Sequence, residues 1–96
     1  MKVRNINGTS SNTCKCGSWL KHWEIFGGQT LPKYCPESSC LQKPEVGAHV
    51  QKDSSTDNDW YIIPLCSAHN AEKGKSIVVS DGTILVSANV AATCGK

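Results

Sequence analysis

CPESSCLQKPEVGAHVQKDSSTDNDWYIIPLCSAH, residues 35–69, opens on Cys35 and Cys40 and closes on Cys66 and His69. Zinc takes four soft or borderline ligands in a tetrahedron, and a rigid site obtains them as two close pairs that separate elements bring together. Four residues lie between the first pair and two between the second, so a helix starting at Cys66 turns Cys66 and His69 toward one point. The spacing predicts one zinc ion held by Cys35, Cys40, Cys66 and His69. Thiolate and imidazole must shed their protons to bind, which couples the metal to folding at neutral pH. The competing reading is a pair of buried free thiols beside a surface histidine.

Between the two pairs, Val46–Gln51 and Trp60–Leu65 read as strands, the second rich in aromatic and β-branched residues. The polar loop DSSTDND joins them into an antiparallel hairpin. Pro64 takes the chain out of the second strand, and residues 67–73 form a short helix that stops at Gly74. The order is strand, strand, helix, a ββα core over residues 34–74. Ahead of it, residues 29–45 carry three of the four prolines and the first two ligands, the composition of a turn-rich knuckle.

The flanks are simpler. Residues 1–13 are rich in Asn, Ser, Thr and Gly and read as an irregular arm. SWLKHWEIF, residues 18–26, sets Trp19, Leu20, Trp23 and Phe26 on one helical face, with Ser18 as N-cap and Gly27-Gly28 as the stop. The tryptophans suit a core role better than base stacking, because a small domain has few other large apolar groups. SIVVS and TILVS flank Asp81-Gly82, the signature of a tight hairpin over residues 75–88 that would cover the core. No repeat or linker divides the chain, so the expectation is one α+β domain, residues 1–96, with an N-terminal helix and a C-terminal β-hairpin.

Composition narrows the class. A chain of 96 residues buries a thin core, which makes a metal or covalent staple a reasonable need. Its six cysteines fit either disulfides or metal sites, and compartment decides. The start, MKVRNING, has no apolar signal core, and no apolar run long enough to span a membrane occurs. The expectation is a cytoplasmic protein with reduced thiols and no membrane partner. Ten basic and eight acidic residues leave +2, too little to wrap nucleic acid through charge alone. Lysines at 15, 21, 33, 43, 52, 73 and 75 still permit a local basic face.

Cys14, Cys16 and Cys94 remain, with His22 the histidine nearest the first two. Together these four could ligate a second zinc, provided the tail returns across the domain, or one of them could replace a ligand of the first site. Cys14-Lys15-Cys16 as a redox pair ranks below this, for it lacks the two-residue gap of thioredoxin-like motifs.

GAHV, DWYIIPL and CSAHN resemble the ββα-metal core of HNH-type endonucleases (His-Me finger), in the zinc-stabilised form built on a treble clef. The resemblance covers about residues 34–73. It implies a structural zinc and, apart from it, a catalytic divalent cation, Mg²⁺ or Mn²⁺. His49 matches the general base and Asn70 the cation-binding position, where an amide carbonyl suits a hard cation. Water activated by His49 would attack a phosphodiester while the cation stabilises the developing charge. The family's middle asparagine is replaced here by Tyr61, with Asn58 and Asp59 nearby in the loop, and His69 stands where cysteine is more usual.

Two functions follow from this resemblance. One is a metal-dependent nuclease acting on DNA. The other is an inactive zinc-finger-like module that binds nucleic acid or a protein partner.

Overall fold

A computed structural model describes residues 1–6, 18–38, 40–53, 59–71 and 74–89. Its strands are β1 (Lys2–Asn5), β2 (Val46–Lys52), β3 (Tyr61–Leu65), β4 (Ser76–Val78) and β5 (Val86–Ser87). They form one antiparallel sheet in the order β4-β1-β2-β3-β5. Helix α1 spans Trp19–Gly27, and α2 is a single turn, Ser67–Asn70. No helix is long and apolar enough to cross a membrane among the described residues.

Strand alternation sorts the core onto two faces. Val3, Ala48, Val50, Ile63, Leu65, Ile77 and Val79 gather on one face with Cys35 and Cys66. Ile62 and Val86 meet Trp23 of α1 on the other. The knuckle and α2 thus close the first face, and α1 closes the second.

Helix α1 begins and ends where its residues dictate. The Ser18 hydroxyl accepts from the Lys21 amide at 3.1 Å, and Gly28 takes the left-handed conformation (φ 64°) that a side chain would resist. Its buried polar groups point at the chain entering β5. Trp23 Nε1 donates to the Ile84 carbonyl and His22 Nε2 to the Ser87 carbonyl, each at 2.8 Å. The helix and β5 therefore pack as a unit.

That unit corrects the expected C-terminal hairpin of residues 75–88. The turn forms, with Thr83 N donating to Ser80 O at 3.1 Å, yet the strands on either side separate. β4 pairs with β1 and β5 with β3, at opposite edges of the sheet. Two-residue turn chemistry lost to longer-range pairing: Ile77 faces Val3, while α1 holds the 84–87 segment against β3.

The irregular arm expected at residues 1–13 also needs correction. Lys2–Asn5 is an interior strand flanked by β2 and β4, with Val3 and Asn5 fully buried. Residues 7–17 lie outside the described set. Pro64 belongs to β3 and does not end it. It sits beyond the last β3 residue paired with β5, so its missing N–H leaves no gap in that ladder.

Candidate metal centre

Each ligand is delivered by a segment whose backbone is already fixed. The knuckle turn is closed by Cys40 N donating to Glu37 O at 3.0 Å and Cys35 N to Gln42 O at 2.7 Å. Ser38 N to Val78 O at 3.0 Å and Ser80 N to Pro36 O at 2.9 Å moor the knuckle to the end of β4. On the other side, Cys66 is the N-cap of α2, and its sulfur accepts from the His69 amide at 3.5 Å. One helical turn then brings the His69 ring round to the sulfurs.

Cys35 Sγ, Cys40 Sγ, Cys66 Sγ and one His69 nitrogen all lie within 4.8 Å of one another. Cys40 Sγ is 3.8 Å from Cys66 Sγ, and His69 Nδ1 is 3.7 Å from Cys35 Sγ and 3.1 Å from Cys66 Sγ. A tetrahedral zinc with ordinary bond lengths sets S···S at about 3.8 Å and S···N at about 3.6 Å. The cluster fits a structural metal such as Zn²⁺, and its three sulfurs and one imidazole are a borderline-soft donor set. Among the described residues, Cys35, Cys40 and Cys66 are free thiols and no carboxylate joins the cluster.

The thiols of the cluster differ in their electrostatics. Burial pushes the Cys35 thiol up to about 11, against hydrogen bonds from the Cys66 and Glu37 backbone. Burial also raises Cys66, but the His69 backbone and ring and the Cys40 and Cys35 thiols together hold it below the ordinary thiol value. Gln42 N donates to Cys40 Sγ at 3.4 Å. Crowded thiols carry their negative charge best when a metal neutralises it.

Two further side chains lie against His69. Its Nε2, on the side of the ring away from the sulfurs, is 4.0 Å from Glu37 Oε1, the placement of a carboxylate behind a metal-bound imidazole. Asn5 Nδ2 reaches the His69 carbonyl at 3.2 Å and the Asn70 carbonyl at 2.9 Å. Sequence reading found neither. Glu37 was visible inside CPESSC as a carboxylate between two ligands, whereas Asn5 sits in a polar stretch that resembles a disordered lead-in.

The residues that the HNH resemblance pairs are divided by the sheet. His49 is 4% exposed and points to the α1 face, its ring edge-on to Trp19 at 4.5 Å and to Trp60 at 6.2 Å. Gly47, on that same face, makes room for α1: a Cβ there would stand 2.4 Å from the Trp19 carbonyl carbon. Asn70 lies on α2, across the metal face. Tyr61 packs toward the metal-side cluster with Lys52 Nζ 5.3 Å from its ring centroid. Asn58 lies outside the described residues, and Asp59 is exposed.

Of the suggested second site, only His22 is described. It is fully buried, and because a carbonyl can only accept, its Nε2 carries the proton given to Ser87. Cys14, Cys16 and Cys94 lie outside the described residues.

No family profile, curated protein or solved structure matches this chain significantly.

Proposed function

We propose that this chain is a zinc-stapled ββα module, akin in architecture to HNH-type endonucleases, that acts by binding and not by cutting. The observation that carries this reading is the side to which His49 points. A base on β2 working with a cation held by α2 must share the face that α2 covers. A one-residue step along a strand reverses the face, and here Ala48 and Val50 take the α2 side. His49 instead fills space between Trp19 and Trp60, where burial withholds it from a phosphodiester. The zinc, on this reading, supplies folding energy to a domain with a thin core.

Nucleic acid is the partner class tested first. Lys21, Lys33, Lys43, Lys52 and Lys75 are all exposed, and phosphate contacts by such groups release counterions. DNA binding that weakens steeply between roughly 50 and 200 mM salt, with plasmid left intact in Mg²⁺ or Mn²⁺, is the expected result. Salt-insensitive or absent DNA binding would point to a protein partner.

The nuclease reading keeps one observation in its favour: β2, β3 and α2 follow in the order that the resemblance requires, with His49 on β2 and Asn70 on α2. It predicts Mg²⁺- or Mn²⁺-dependent plasmid cleavage that His49→Ala abolishes while the fold survives. Equal background in wild type and variant removes it.

A further inference from the structure

Asn5 makes four hydrogen bonds to a single stretch of chain. Its Nδ2 donates to the carbonyls of His69 and Asn70, its backbone N–H donates to Lys75 O at 3.0 Å, and its carbonyl accepts from Gly74 N at 2.8 Å. The backbone pair continues the β1–β4 ladder. The side-chain pair is different, because it leaves the sheet and takes hold of the last turn of α2, beside a metal ligand.

Chemistry fixes the orientation of this amide. Both acceptors are carbonyls, so the NH₂ group must face them; turning the amide over would set three oxygens together. The residue is fully buried, and its Oδ1 finds no hydrogen-bond partner among the described residues. A buried amide that commits its donors to α2 while its own oxygen goes without a described partner is poorly explained by packing. An apolar side chain would fill the space beside Val3 and Val50 without burying an unpaired acceptor.

We propose that Asn5 is a positioning residue of the metal centre, locking the backbone of His69 so that its Nδ1 meets the three sulfurs. This rests on the reading of the cluster as a zinc site. It follows that metal affinity depends on β1, a strand distant in sequence from every ligand. Outer partners that orient a metal-bound histidine commonly change affinity by about 10- to 100-fold when removed. Glu37 stands 4.0 Å outside the ring, and Asn5 holds the backbone from beneath.

The test is zinc affinity of the full chain, measured by competition with a chromophoric chelator, together with the visible spectrum of the Co²⁺-substituted protein. Asn5→Leu keeps the branched shape and heavy-atom count and removes both donors; Asn5→Ser keeps a single donor on a shorter side chain. The expected outcome is a loss of about 10- to 100-fold in Asn5→Leu, a smaller loss in Asn5→Ser, and altered Co²⁺ ligand-field bands in Asn5→Leu. Arg4→Ala, on the same strand but pointing to solvent, should stay within about threefold of wild type, below the range for an orienting partner. If Asn5→Leu does not fold, Asn5→Ser against Arg4→Ala decides on the same readouts. Wild-type affinity and spectrum in the folded Asn5 variants overturn the proposal, as does an equal loss in Arg4→Ala. A wild-type chain that binds no zinc overturns instead the metal reading on which it rests.

Discussion

Glu37 Oε1 stands 4.0 Å from His69 Nε2, behind the imidazole whose Nδ1 faces the sulfurs of Cys35 and Cys66. A carboxylate on that side of the ring is placed to orient the imidazole once it closes to hydrogen-bond distance. Glu37→Ala should weaken zinc binding by about 10- to 100-fold, and Glu37→Gln, which keeps an acceptor oxygen, by clearly less. Chelator competition measures both, and equal affinities in all three chains would remove Glu37 from the site.

Gly47 lies where α1 crosses the sheet. A methyl group there meets backbone, with Trp19 C at 2.4 Å and Leu20 N at 2.5 Å, and backbone cannot turn aside as a side chain can. Gly47→Ala should cost about 1–3 kcal/mol and lift α1 from β2. Denaturant melts report the loss, and near-ultraviolet signals from Trp19 and Trp23 should change with it. An unaltered midpoint would mean that the helix packs less closely than described.

Metal removal should be far more damaging. Structural zinc contributes on the order of 10 kcal/mol in small domains, as much as the whole stability of an ordinary one. A strong chelator should therefore lower the melting temperature by about 20 °C or more, or abolish the transition. A melt indifferent to chelator would make the staple dispensable.

The pH dependence has opposite signs with and without metal. Cys35 keeps its proton up to about 11 in the metal-free fold, against 9.0 for an ordinary thiol. That group stabilises the metal-free fold below pH 9 and withdraws its contribution as pH rises through 11. Cys66, held below its ordinary value, acts in the reverse sense. Zinc binds thiolate, so its uptake near neutrality expels the Cys35 proton, and affinity should rise about tenfold per pH unit for each proton displaced. Proton release in a weakly buffered zinc titration checks this; none released would contradict the sulfur ligands.

How legible was all this in the residues? The clustering of Cys35, Cys40, Cys66 and His69 was, because paired spacing around a hairpin brings four side chains together wherever the flanks go. Helix α1 was legible to its caps, since Ser18 and Gly28 act through local backbone geometry. β1 was not: with only Val3 inside it, its four residues have too little apolar periodicity to mark a strand. The partners of β4 and β5 were hidden for a related reason. Asp81-Gly82 reports a turn, but which edge each flanking strand joins depends on Val3 and on α1, both far away in sequence. The face of His49 was also out of reach, since a motif specifies a residue and only the register of the sheet specifies its direction.

The most direct measurement is the zinc content of the intact chain by native mass spectrometry, wild type beside Cys66→Ser. Wild type should carry tightly held zinc, and Cys66→Ser should carry one ion fewer whatever the remaining cysteines bind. Identical zinc content in the two chains, or none in either, would contradict the Cys35–Cys40–Cys66–His69 centre.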